Sequence, residues 1–204
     1  MSEARADAPL SLALPPPLAY PRRLASPPKC PPPMTDTATL IPLDAVDPAL
    51  VEGLLDRAFE PGRHRRTAYR VREGMDWLPA LSFAAMDGAE HLVATIQCWP
   101  VALTDPAGRA HPLVMVGPVA VLPEAQGQGY GKALMTACMA AMDPRAPLPM
   151  VMIGEPEYYG RWGFVADYTG GWDAPGPFEK HRLLVRTPTP AILPPVGLLG
   201  PWRR

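Results

Sequence analysis

The stretch "GPVAVLPEAQGQGYGKALM", residues 117–135, passes from an apolar run into a glycine-rich loop and then into a helical pattern. Gly117-Pro118 interrupts what otherwise reads as a strand. Proline cannot donate to a ladder and glycine marks a bulge or a close backbone approach, so regular pairing is expected to fail there. From Tyr130 the apolar residues fall at 130, 133, 134, 137, 138 and 141, the spacing of an amphipathic helix, which Asp143-Pro144 stops. Between strand and helix lie Gly127, Gly129 and Gly131. Glycines let successive backbone N–H groups turn outward together, and a helix N-terminus adds unpaired donors with a partial positive charge. Such a nest suits a pyrophosphate without needing arginine or a metal.

Two better-known phosphate loops fail on spacing. A dinucleotide fingerprint needs G-x-G-x-x-G, and the position wanted for its third glycine is Lys132. A P-loop needs a hydroxyl residue after Gly131-Lys132 and a glycine at 126, where Ala133 and Gln126 stand.

Working outward, "ATLIPL" (38–43) reads as a first strand. Asp47 followed by Pro48 reads as an N-cap and first helical position, with a face of Leu50, Leu54, Leu55 and Ala58. "EPG" (60–62) breaks that helix, and a second is expected across "RRTAYRVREG" (65–74). The arginines around it, Arg63, Arg65, Arg66, Arg70 and Arg72, read as a solvated helix face, with an anion site as the alternative. "LSFAAMDG", "HLVATIQCWPVAL" and "HPLVMVGPVAVL" read as three strands joined by turns at Asp87-Gly88 and "DPAGR" (105–109), an antiparallel meander. "LPMVMIGE" (148–155) reads as a buried strand, "PEYYGRWGF" (156–164) as a short helix, and "FEKHRLLVR" (178–186) as a closing strand. The rest, 187–204, carries many prolines and is expected to wrap over the surface.

The pattern Q-x-x-G-x-G, read as Gln126, Gly129 and Gly131 between a broken strand and an amphipathic helix, resembles the acetyl-CoA motif of the GNAT superfamily of N-acetyltransferases. "YYGRWGF" adds a second match, since many members carry a tyrosine four residues before Gly-Phe, here Tyr159 before Gly163-Phe164. The resemblance runs over residues 34–186 and looks most like a bacterial branch of largely unassigned N-acetyltransferases. It implies an α/β fold of the α+β type: one domain with a mixed, mostly antiparallel sheet splayed at the acetyl-CoA site and helices on both faces. It also implies acetyl-CoA as co-substrate and direct transfer of the acetyl group to a primary amine in a ternary complex. Val119, Ala120 and Val121 would pair with the pantetheine arm, and Gln126, Gly127, Gln128, Gly129, Tyr130, Gly131 and Lys132 would cradle the diphosphate. Tyr159 would act as general acid toward the departing thiolate, while its neighbour Tyr158 is expected to pack. Glu155 is the first candidate base, ahead of Glu124 and His91. The acceptor, a small molecule or a protein amine, has no readable code. A non-catalytic acyl-CoA sensor is the alternative function.

Composition bounds the rest. The chain has 204 residues, 48% hydrophobic and 19% charged, with a formal net charge of −1, which speaks against a nucleic-acid partner. Cys30, Cys98 and Cys138 are odd in number and far apart, arguing against a disulfide framework or a zinc site and for reduced thiols in a cytoplasmic protein. No apolar run is long enough to span a membrane. No metal is expected, and a homodimer is an open assembly. Ten of the 30 prolines fall in residues 1–33. That segment is expected to be a disordered tail, with a polyproline ligand as the alternative, or upstream translation ahead of a natural start at Met34.

Overall fold

Residues 38–145 and 147–203 are described in a computed structural model of the chain. The readings of residues 1–33 and of Cys30 lie outside them. The elements in chain order are β1 (Thr39–Pro42), α1 (Pro48–Phe59), α2 (Thr67–Val71), β2 (Phe83–Met86), β3 (Leu92–Thr104), β4 (Ala110–Val121), α3 (Tyr130–Ala141), β5 (Met150–Ile153), α4 (Pro156–Tyr159), β6 (Gly171–Asp173), β7 (Leu183–Arg186) and β8 (Val196–Pro201).

Short-range chemistry sets most of these boundaries. The Asp47 carboxylate accepts the Ala49 N–H at 2.8 Å, satisfying a donor at the start of α1, and Pro48 occupies the first helical position. The two meander turns use one device. Asp87 Oδ1 accepts from Ala89 and His91, and Asp105 Oδ1 accepts from Ala107 and Arg109, so each aspartate closes its own hairpin. The second helix is shorter than expected: residues 61–65 form a 3-10 turn, Arg66 is extended, and α2 covers only Thr67–Val71. Leu50, expected on the buried face of α1, is 60% exposed; Val51, Leu54 and Leu55 face the core instead.

The sheet runs β1-β2-β3-β4-β5-β7, antiparallel throughout except for the parallel pair β4–β5. Alternate residues of β3 face opposite layers. Cys98 meets Cys138 of α3 on one face, Sγ to Sγ 3.3 Å. Gln97 and Trp99, on the other, share a cavity wall with Val51 and Leu55 of α1. Helices therefore cover both faces. The break at 117–118 is present: Ile96 pairs with Val119 and Cys98 with Val116, so β4 spends two residues where β3 spends one. Gly117 there has φ +121°, a conformation closed to most side chains.

The C-terminal segment departs from its expected surface wrap. Residues 196–201 form β8, which pairs antiparallel with the second half of β3 and parallel with β6. The expectation counted prolines without their positions: Pro188, Pro190, Pro194 and Pro195 precede the strand, and Pro201 ends it. Leu199 is fully buried, while its neighbour Leu198 is 53% exposed. Similarly, the closing strand begins at Leu183, since 180–182 form a 3-10 turn.

Leu199→Ala should therefore cost about 2–4 kcal/mol in urea unfolding, whereas Leu198→Ala should stay within ~0.5 kcal/mol of the parent. Equal effects would mean that β8 does not hold its place in the sheet.

Candidate active site

Parallel pairing between β4 and β5 covers only Val114–Met150 and Met115–Val151. Beyond it, β4 continues to Val121 with β3 as its neighbour, and β5 continues to Ile153 with β7 as its neighbour. The edges that would have met are left apart, and the sheet opens. Val119, Ala120 and Val121 lie on the β4 side of the opening; Ala120 is buried and the two valines are half-buried.

The glycine loop lies past the end of β4. Gln126, Gly127, Gln128 and Gly129 are exposed, and Gly127 and Gly129 have φ of +79° and +92°. Gly129 is the residue before α3, where a left-handed backbone turns the chain into the helix at no side-chain cost. No side chain caps α3, so the donors of its first turn have no local acceptor. Gln128 instead donates its amide to the Glu124 carbonyl at 3.1 Å, bracing the loop. Lys132 is exposed. Tyr130 is only 6% exposed and joins the core, so its phenol faces inward and only its backbone is available to the loop. These residues fit a diphosphate: exposed positive-φ glycines, free helix-end donors and no competing carboxylate cap.

On the other side of the opening is a cleft of about 890 Å³. Its β4 wall includes Val116–Val119, its β5 wall Met152–Gly154, and it also takes in Glu155 and Tyr159. The Tyr159 ring packs closely against Gly154: a Cβ on that glycine would sit 2.5 Å from it. Burial, the neighbouring Tyr158 phenol and Glu155 push the Tyr159 phenol up to about 12, with Arg182 opposing. Tyr158, expected to pack, meets the rings of Tyr159 and Trp162 at 4.9 and 5.5 Å yet stays 37% exposed, its Oη 3.5 Å from where a side chain on Gly131 would begin. The two adjacent tyrosines thus face different ends of the opening.

Glu155 is exposed and its Oε1 lies 3.0 Å from Arg182 Nη2. The two weaker base candidates are elsewhere. Glu124 pairs with Arg57 at 2.5 Å, and His91 sits in the β2–β3 turn beside Asp87; neither lines the cleft. Sequence reading missed Phe178 and Glu179, which reach the cleft from the segment before β7.

The arginine run is solvated only in part: Arg65, Arg66 and Arg70 are exposed, but Arg63 and Arg72 are buried. Arg63 is 2% exposed, bonded to Glu52, to Asp56 at 2.9 Å and to the Tyr69 hydroxyl. Burial works to lower its pKa, but those bonds outweigh it and raise the guanidinium above its usual value. Arg72 is 5% exposed, donates to the Gly117 carbonyl at 2.8 Å, and lies between the rings of Tyr69 and Trp99 at 4.1 and 4.2 Å. Burial lowers it to about 10, with Tyr69 opposing. One signal in the sequence points to Arg63: Glu52 and Asp56 are one helical turn apart on α1, a ready-made carboxylate pair.

Among the described residues no group of three or more His, Cys, Asp or Glu is placed to hold a metal, and no helix is long and apolar enough to cross a membrane.

A mixed sheet splayed beyond the short parallel pair β4–β5, with a glycine loop leading into a helix, is the architecture of the acyl-CoA-dependent N-acetyltransferases. The chain carries a GNAT acetyltransferase domain, and the model of the acetyltransferase (GNAT) family matches residues 49–148. It is 28% identical over 150 residues to the uncharacterized N-acetyltransferase YhbS of Escherichia coli K12, spanning 70% of this chain and 84% of YhbS. The crystal structure of E. coli YhbS in complex with CoA superposes with a TM-score of 0.61 at 21% identity, covering 82% of this chain and 89% of that one. A GNAT family acetyltransferase of Brucella melitensis solved with acetyl-CoA gives 0.46 at 20% identity, over 74% and 97% of the two chains.

The raised Tyr159 phenol carries a stability consequence. Folding favours its protonated form, so its contribution is complete below pH ~10 and is lost as pH rises toward 12, by about 2–3 kcal/mol. Tyr159→Phe should flatten that alkaline limb in denaturation measured from pH 9 to 12; an unchanged limb would mean the phenol is not buried as described.

Proposed function

We propose that the protein transfers an acetyl group from acetyl-CoA to a primary amine by direct attack, both substrates being bound together. The observation that carries this reading is the opening between β4 and β5, with a free glycine loop at one end and a tyrosine-lined cleft at the other. The backbone of Gln126–Lys132 would hold the diphosphate, and the free edge of Val119–Val121 would take the pantetheine amides as an added strand does. Acetyl-CoA supplies an activated thioester carbonyl.

The chain's own work is then positioning, polarisation and proton handling. Holding the amine and the carbonyl in one cleft replaces a bimolecular encounter with an oriented one. A backbone N–H on the β4 edge would polarise the carbonyl oxygen. As the N–C bond forms and the C–S bond breaks, the ammonium proton must leave and the sulfur must gain one. Tyr159 serves the sulfur end. A phenol near 12 stays protonated across the physiological range and remains a donor there. A thiol is the stronger acid by about 3.5 pKa units, or ~5 kcal/mol, so Tyr159 hydrogen-bonds the developing thiolate while the amine's proton completes the transfer. The ammonium loses a first proton before it attacks, and Glu155, a carboxylate lining the cleft, would take it through Oε2, since Oε1 pairs with Arg182; the second amine proton, released after attack, is the one that reaches the sulfur.

Acetyl-CoA titrated calorimetrically should bind in the micromolar range, and Gly129→Val should weaken it at least ~10-fold by closing the left-handed backbone at the loop. Tyr159→Phe should leave that affinity within about threefold and lower kcat on a panel of amines by ~10²-fold. Absence of acetyl-CoA binding sinks the proposal; binding without acetylation of any amine or peptide points to an acyl-CoA sensor.

A further inference from the structure

The cleft beside Tyr159 and Glu155 is lined by more positive charge than its own carboxylates balance. Five arginines line it, Arg63, Arg65, Arg66, Arg72 and Arg182, against Glu155 and Glu179. Arg63 is spent on Glu52 and Asp56, which lie on α1, and Arg182 takes both lining glutamates, Glu155 at 3.0 Å and Glu179 at 4.0 Å. Among the described residues no carboxylate lies within ion-pair distance of Arg65, Arg66 or Arg72. Arg65 and Arg66 are exposed at the rim, Arg66 resting over the Phe59 ring with its guanidinium donating to the Phe59 carbonyl at 3.3 Å. Arg72 is at the floor, 95% removed from solvent, held by a carbonyl and two aromatic rings, while Glu52, paired with Arg63, acts on it only from beyond ion-pair distance. A buried guanidinium without a counter-ion is costly, and an incoming anion relieves that cost.

This charge is not explained by the donor's phosphates. None of Gln126–Lys132 lines the cleft, so the glycine loop and the arginines occupy different parts of the molecule. A simple ammonium entering the cleft meets like charge; an amine carrying a carboxylate brings the missing counter-ion and the bidentate geometry that arginine favours.

Resting on the acetyltransferase reading, we propose that the acceptor is a small primary amine bearing a carboxylate, as in an amino acid. Arg72 at the β4 bulge and Arg65 and Arg66 at the rim determine that specificity. Arg72 donates to Gly117 on the strand that borders the opening, so a carboxylate bound there leaves the amine of a short acceptor close to the β4 edge. Arg65 and Arg66 extend the anion-binding surface outward and admit a second carboxylate on a longer acceptor.

The test uses matched pairs: serine and ethanolamine, tyrosine and tyramine, tryptophan and tryptamine. Each member is titrated into the full-length protein, with and without saturating CoA, and its kcat/KM is measured with acetyl-CoA. The carboxylated member should bind and react about 10- to 100-fold better. The double variant R65E/R66E, altered only at exposed side chains, should reduce that preference at least ~10-fold while the Kd for CoA stays unchanged. Arg72→Gln, its folding checked by thermal melting, should do the same at the floor. Tighter binding or faster reaction of the decarboxylated member overturns the inference, as does a preference that survives both variants. Loss of CoA binding in the parent protein would count instead against the acetyltransferase reading, and the titrations without CoA would still decide the acceptor's charge.

Discussion

The short parallel contact between β4 and β5 is the constraint on which the rest of the site depends. Two residue pairs hold the strands together at Val114 and Met115, and then each strand keeps its outer neighbour and loses the inner one. Backbone groups in the middle of a sheet that lack a partner must be met by solvent or by a ligand. The bulge at Gly117-Pro118 lies just after the last parallel pair, so β4 changes register where it parts from β5. Arg72 anchors the carbonyl of that bulge from the opposite layer. The opening is thereby built into the backbone rather than carved by side chains.

Around this opening, charge is distributed by depth. Arg63 and Arg72 are a few residues apart and equally buried, yet α1 satisfies only the first with carboxylates. The second is stacked between Tyr69 and Trp99, which hold a cation in place without cancelling its charge. The aromatic residues divide in the same manner. Tyr158 leans to the glycine-loop end, Tyr159 lies along β5 against Gly154, and their rings meet edge to face at 4.9 Å. A single tyrosine pair thus borders both ends of the opening.

The features that could be read in the chain are those whose physics is local. Asp47 caps α1 two residues away, Asp87 and Asp105 close their own turns, and Gly129 turns the chain directly into α3. The broken strand was legible for the same reason, because Gly117-Pro118 cannot maintain a ladder whatever lies beside it. The arginine run misled at two positions: Arg63 is buried against carboxylates of the preceding helix, and Arg72 against Trp99 and the Gly117 carbonyl, which are remote in sequence. Prolines around 187–204 hid a strand whose stability comes from Leu199 entering a core assembled by β3, α2 and β6. Glu124 and His91 were chemically suitable bases, but their positions off the cleft are properties of the folded chain alone.

By itself, then, the sequence determined the element order, the break in β4, the glycine loop and the family pattern, because spacing, capping and backbone conformation act over a few residues. Only the tertiary structure decided which side of the opening each tyrosine faces, that the last strand joins the sheet, and that three cleft arginines have no carboxylate within ion-pair distance among the described residues. Those outcomes rest on desolvation and charge pairing between distant segments, and such energies exist only once the segments have been brought together.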